Sequence, residues 1–236
     1  MNMNAEQNDY DLVITGGRVI DPETGLDAER NVGIKGDKIA AVTEADITGK
    51  ETIDAKGHVV CPGFIDMHQH NVGTPFGEKL ALRDGVTTPM ELEAGVYPVG
   101  EWYQALEGKS RTNYGASVGT LAVRETILNP EYRTTYAGFF IWDLLADPKD
   151  SKASMHWSTD VSTPEQVKEF ERMLEEGLSQ GSIGVGHAVG YAVAGCSQEE
   201  SIIVQKLAGK YGQSAYIHGR FSGQMTPTSG LLGFLE

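Results

Sequence analysis

The sequence of 236 residues is short of positive charge and of cysteine, and it has no long apolar run. Nineteen lysines and arginines face 33 aspartates and glutamates, a formal net charge of −14, and no basic stripe offsets that field. Nucleic acid and anionic membranes are therefore not expected partners, because such surfaces repel a chain of this charge. The apolar runs are too short for a membrane-spanning helix, and Met1 to Tyr10 lacks the basic-then-apolar order of a signal peptide. Two cysteines, Cys61 and Cys196, are too few and too distant for a disulfide framework, which fits a reducing, cytoplasmic compartment. What the chain does have is 40% hydrophobic residues at a mean hydropathy of −0.28, enough apolar material for the core of a soluble globular protein.

From Asp11 to Val60, short apolar segments alternate with turns. Leu12-Val13-Ile14, Val19-Ile20, Val32-Gly33-Ile34, Ile39 to Val42 and His58-Val59-Val60 read as strands, broken by turn chemistry at Gly16-Gly17, Asp21-Pro22 and Gly36-Asp37. Residues 1–60 are expected to be the N-terminal part of a small β-sandwich. From residue 61 to 236 strands alternate with helix signals, the mark of a parallel sheet with βαβ crossovers. Strands are expected at 64–68, 86–93, 114–119, 182–189 and 214–218. A helix is expected around Trp102 to Leu106, and a second is opened by Thr163-Pro164 with Val167, Phe170, Leu174 and Leu178 on one face. A third starts at the capping box Ser197/Glu200, carries Ile203, Leu207 and Tyr211 as its buried stripe, and stops at Gly212. A further helix is expected to build up before Glu236. About half of an eight-stranded barrel would then be present; an open α/β sheet complete in itself is the alternative.

The sharpest chemical signal is Cys61-Pro62-Gly63-Phe64-Ile65-Asp66-Met67-His68-Gln69-His70, an apolar strand ending in two histidines one residue apart. In a strand, positions i and i+2 point the same way, so both imidazoles can face one cation at the strand's C-terminal mouth. Imidazole is a common zinc ligand, and a rim position leaves an open coordination place. A bare pair of surface histidines is the alternative; the preceding Pro-Gly, the apolar strand and Asp66 favour metal.

The segment Val59 to His70 resembles the first-strand signature of the amidohydrolase superfamily, in which two histidines bind metal at the mouth of a TIM-type barrel. Ile14-Thr15-Gly16-Gly17-Arg18-Val19-Ile20-Asp21-Pro22 is similar to the opening of those enzymes, and the D-aminoacylase group is the one most resembled. The resemblance implies an α/β fold, the first half of a (β/α)8 barrel preceded by part of a small β-sandwich. It also implies one or two divalent ions, zinc by preference, and a small N-acyl amino acid as substrate. Gly85-Val86-Thr87-Thr88 resembles a segment that there leads to a metal-binding cysteine, but Ala94 falls near that place and the chain offers Glu91 and Glu93 instead. A carboxylate is a sensible substitute as an anionic oxygen ligand. Glu93 lies nearer the strand end, whereas Glu91 shares its face by the period-2 rule, so both stay candidates. Relatives also use a carboxylated lysine, and no lysine lies in 86–93 or 182–191.

The same resemblance makes His218 in Tyr216-Ile217-His218-Gly219-Arg220 a metal ligand, with a core histidine as the plain alternative. Arg220 either holds a substrate carboxylate or pairs with a neighbouring acid. The segment Gly184 to Tyr191 resembles a glycine-rich pocket loop, which makes Tyr191 a donor to the scissile carbonyl and His187 a pocket residue; small residues packing a barrel layer are the alternative. His58 and His156 carry no supporting pattern and read as structural or exposed. The resemblance puts the general acid, an aspartate, and a further histidine ligand beyond residue 236. The expected activity is hydrolysis of N-acyl-D-amino acids by the longer protein, the 236 residues alone being inactive. Two alternatives stand beside it: a cyclic amidase of the hydantoinase or dihydroorotase kind, and a catalytically silent metal-binding or assembly partner.

Overall fold

A computed structural model describes residues 10–135, 140–145, 147–192 and 194–220. The chain divides between Gly63 and Phe64 into two compact units.

The first unit is a five-stranded sheet of β1 (Tyr10–Asp21), β2 (Leu26–Lys35), β3 (Lys38–Thr43), β4 (Gly49–Asp54) and β5 (Val59–Val60), in the order β3-β2-β1-β4 with β5 also on β1. The β1–β2 and β2–β3 pairs are antiparallel; β4 and β5 run parallel to β1. Gly16-Gly17, expected to break the chain into two strands, instead forms a bulge within one long strand. The register with β2 shifts between Ile14 and Gly17, and Gly16 takes φ +66, a conformation that only glycine adopts freely. Asp21 does cap a turn, its carboxylate accepting from the Thr24 hydroxyl at 2.6 Å and the Glu23 amide at 3.1 Å. The polar strand β4 escapes a pattern search because nearly all of it is exposed, leaving no alternation to detect. One sheet is present among the described strands of this unit, and no second layer of the expected sandwich is found there.

The second unit alternates strands and helices: β6 (Phe64–Asp66), α1 (Pro75–Arg83), β7 (Val86–Val96), α2 (Val99–Leu106), β8 (Gly115–Gly119) and α3 (Thr120–Leu128). Three short helices follow, α4 (Phe140–Leu145), α5 (Pro148–Ser151) and α6 (His156–Thr159), then α7 (Pro164–Ser179), β9 (Gly184–His187), α8 (Gln198–Lys210) and β10 (Ser214–Ile217). The five strands form one parallel sheet in chain order, β10-β9-β8-β7-β6, with helices in every crossover. Among the described strands it is an open sheet with β6 and β10 at its edges.

Both capping boxes form: Thr163 with Gln166 starts α7 and Ser197 with Glu200 starts α8, each satisfying amide donors that a helix start leaves unpaired. Val167, Phe170, Leu174 and Leu178 of α7 pack with Val118 and Val185 of the sheet in one core cluster. Tyr211, expected in the buried stripe of α8, is instead its exposed C-cap residue at 37%, while Ile203 and Leu207 are buried. The expected helix beyond Arg220 lies outside the described residues.

Candidate metal centre

The site is built from the turn after β6, the C-terminal half of β7 and the residue that follows β10. The expected strand 64–68 ends two residues early, at Asp66, so His68 and His70 project from the following turn and not from a pleated strand. Asp66 shapes that turn by accepting the His68 amide at 3.0 Å, and the Gln69 amide donates to the Met90 carbonyl of β7 at 3.2 Å. The two rings meet edge to face, centroids 5.4 Å apart. They still converge on one place, but loop hydrogen bonds bring them there in place of the strand's two-residue period.

Strand β7 bulges where it carries its carboxylates. Glu91 pairs with Ala116 and Val96 with Val118, so positions 91 to 96 of β7 match only 116 to 118 of β8. Gly95 absorbs the irregularity at φ +68, and a Cβ there would come within 2.6 Å of Gly119. The strand delivers both carboxylates to the histidines. Glu91 Oε1 lies 2.8 Å from His70 Nδ1, and Glu93 Oε2 lies 3.5 Å from His70 Nε2 and 4.0 Å from His68 Nε2. Ligand atoms of His68, His70 and Glu93 all fall within 4.8 Å of one another.

From the far edge of the sheet, His218 places Nδ1 2.7 Å from Glu93 Oε1. Two backbone bonds hold it, the His218 amide donating to the His187 carbonyl at 3.1 Å and the Gly190 amide to the His218 carbonyl at 2.8 Å. The Tyr191 ring stacks on the His218 ring with centroids 4.4 Å apart.

These residues fit a divalent cation. Glu91 Oε2 and Glu93 Oε1 are buried with no hydrogen-bond partner among the described residues, so the short His218 contact is not aligned as a hydrogen bond. A buried carboxylate oxygen without a donor is costly, and a cation relieves that cost. Separations of 3.5 and 4.0 Å are too long for hydrogen bonds and are those expected of ligand atoms each about 2 Å from one ion. A set of imidazole and carboxylate donors suits zinc. Burial pushes Glu91 up to about 7, and the Glu91 hydrogen bond raises His70.

Beside His70 and Glu93 lies a cavity of about 240 Å³ walled by Leu121, Phe140, Trp157 and Tyr191. A larger cavity of about 390 Å³, between α1 and α2, contains none of the cluster residues. Ala94, near the place the resemblance gives to a cysteine, faces the smaller cavity. The wall from α4 and α6 was not anticipated from sequence; its one signal is the aromatic and apolar density of Phe140-Ile141-Trp142.

Other residues singled out from the sequence have hydrogen-bond partners outside the His68/His70/Glu93 cluster. His187 is buried, its Nδ1 3.2 Å from the Thr120 hydroxyl and Nε2 3.0 Å from the Ser201 hydroxyl; burial pushes its pKa down to about 4. Arg220 donates Nη2 to the Cys196 carbonyl at 2.5 Å. His58 is exposed against the Lys56 carbonyl, and His156 pairs on the surface with Asp160 at 2.6 Å.

Comparison with known proteins adds to this geometry. Residues 51–116 match the amidohydrolase family. N-acyl-D-glutamate deacylase of Alcaligenes xylosoxydans xylosoxydans is 28% identical over 210 residues, which cover 83% of this chain and 41% of that protein. Adenine deaminase 2 of Rhizobium etli is 37% identical over 93 residues, covering 39% of this chain and 14% of that protein. The crystal structure of D-aminoacylase superposes with a TM-score of 0.71 at 21% identity, covering 96% of this chain and 48% of that one. The chain spans less than half the length of these relatives.

Proposed function

We propose that this chain, which belongs to the amidohydrolase family, carries the metal-binding part of a hydrolase that cleaves the amide bond of N-acyl-D-amino acids. The observation that carries this reading is the convergence of ligand atoms of His68, His70 and Glu93, with a buried Glu93 oxygen that no hydrogen-bond donor satisfies among the described residues. The deacylase likeness runs over 83% of the chain and the adenine deaminase likeness over 39%, which favours deacylation.

His68, His70 and Glu93 are the proposed ligands, with His218 joining them from the other oxygen of Glu93. When bound, a divalent ion such as zinc supplies a Lewis acid that polarises a carbonyl and lowers the pKa of water from ~15.7 toward ~7. The apolar wall of Leu121, Phe140 and Trp157 holds the acyl chain or an apolar side chain and keeps bulk water from the amide. Tyr191, fixed by stacking on His218, offers its hydroxyl to the scissile carbonyl oxygen. Arg220, steadied through the Cys196 carbonyl, takes the substrate carboxylate. None of the residues named here is assigned to protonating the leaving amine, and the chain covers 41% of the length of the deacylase it resembles, so the 236 residues by themselves are proposed to lack the activity.

The test is release of free D-amino acid from a panel of N-acyl-D- and N-acyl-L-amino acids, with the chain alone and with its downstream sequence. Activity confined to the longer protein and to D-substrates is expected; comparable activity in the short chain rejects the division of labour. A second reading, hydrolysis of a C–N bond in or on a nitrogen heterocycle, is favoured by the higher identity of the adenine deaminase match. Turnover of dihydroorotate, a hydantoin or adenine without turnover of N-acyl-D-amino acids would establish it instead.

A further inference from the structure

We infer that Glu91 is a positioning residue for His70, setting which nitrogen of the imidazole faces the cation site, and is not itself a ligand. This rests on the metal-centre reading above and goes beyond it by dividing the work between the two carboxylates of β7.

The two ring nitrogens of His70 have different neighbours. Nδ1 lies 2.8 Å from Glu91 Oε1, a hydrogen-bond distance, while Nε2 lies 3.5 Å from Glu93 Oε2 and points into the cluster. A neutral imidazole carries one proton, and only the nitrogen without it has a lone pair for a cation. A carboxylate accepting from Nδ1 keeps the proton there and leaves the Nε2 lone pair facing His68 and Glu93. It also fixes the ring plane and makes the ring a stronger donor, the role that outer carboxylates play behind ligating histidines.

Burial separates the two acids in the same sense. Glu91 is 1% exposed and lies behind the ring, whereas Glu93 is 9% exposed and shares the convergence of ligand atoms with His68 and His70. The contrary observation is Glu91 Oε2, buried with no hydrogen-bond partner among the described residues, which would suit a ligand. The experiment distinguishes the two roles.

Zinc affinity and stoichiometry are measured on the full chain by competition with a chelating dye, for the unmodified protein and for Glu91→Gln, Glu91→Ala and Glu93→Ala. Histidine ¹⁵N shifts in the metal-free protein report the His70 tautomer, and circular dichroism reports folding. Glu91→Ala is expected to keep the zinc stoichiometry, lose about 10- to 100-fold in affinity and release His70 from the Nδ1–H tautomer. Glu91→Gln, whose amide oxygen still accepts from Nδ1, recovers most of both, while Glu93→Ala loses the stoichiometric zinc. Loss of zinc in both Glu91 variants with retention in Glu93→Ala makes Glu91 the ligand and overturns the inference. A folded Glu91→Ala with unchanged affinity and tautomer overturns it as well. Failure of the unmodified chain to bind zinc is a different result, and it removes the metal-centre reading itself.

Discussion

Arg124 and Glu200 are as deeply buried as Glu91 and Glu93, all four at 9% exposure or less, yet their surroundings treat them in opposite ways. Arg124 Nη1 forms a close ion pair with Glu200 and also reaches the Ser162 hydroxyl; Nε donates to the Trp157 carbonyl at 2.8 Å and Nη2 to the Asp160 carbonyl at 2.6 Å. Glu200 in turn accepts the amide and hydroxyl of Ser197 as part of the α8 capping box. That charge is complete within the fold, and it ties α3, the α6 turn and the start of α8 together. The β7 carboxylates each keep a buried oxygen without a donor. One region uses buried charge to hold structure; the other leaves one oxygen of each carboxylate without a hydrogen-bond donor, the kind of local inconsistency expected where a protein binds something.

The comparison breaks most visibly at Arg124. Arg124→Leu leaves Glu200 buried without its partner and is expected to cost about 3–5 kcal/mol in denaturant unfolding, with no recovery on adding zinc. A loss below 1 kcal/mol would show that the pair is not the structural clamp described.

Glu93→Ala sharpens the other side of the contrast. It removes a carboxylate with an unsatisfied oxygen, so the metal-free protein should hold its stability, while the stabilisation by zinc disappears. For a one-site ion at 100 times its Kd that stabilisation is about 2.7 kcal/mol, read as a thermal shift. An undiminished zinc-induced shift in Glu93→Ala would assign the ligand role elsewhere.

The smallest effect is on the surface, at His156 and Asp160. The Asp160 hydrogen bond raises His156 from its ordinary 6.5, and the His156 hydrogen bond lowers Asp160 from 3.8. The raised histidine contributes below about 6.5 and fades as pH rises through its folded value; the lowered aspartate contributes above about 3.8 and fades as pH falls through its own. The difference in Tm between the unmodified protein and Asp160→Asn is therefore expected to be greatest between pH 4 and 6.5 and to shrink above it. A difference constant with pH would remove the ion pair from the explanation.

How much of this was legible in the sequence depended on how local each cause is. The capping boxes at Thr163 and Ser197 are decided within four residues, and both helix starts follow the sequence signal. Gly16-Gly17 reads equally as a turn or a bulge, and only pairing with β2 makes it a bulge. The exposed strand β4 has no apolar alternation to detect, and α3 is buried so completely that its sequence shows no amphipathic stripe. In the site, His68 and His70 could be nominated from residue type and spacing, whereas Glu91, Glu93 and His218 were reached through the resemblance to the amidohydrolase superfamily. The wall formed by Phe140 and Trp157 could not, since residues far apart in the chain reach it only through the folding of the α4–α6 segment. The distinct neighbours of Glu91 and Glu93 were likewise out of reach, because the bulge of β7 and the turn after Asp66 set them.

Zinc content of the folded chain, purified unmodified and as His68→Ala/His70→Ala, tests the metal centre most directly. Stoichiometric zinc in the unmodified chain and its loss from the double variant, with circular dichroism unchanged, is the expected result. Equal zinc in both, or none in the unmodified chain, would contradict it.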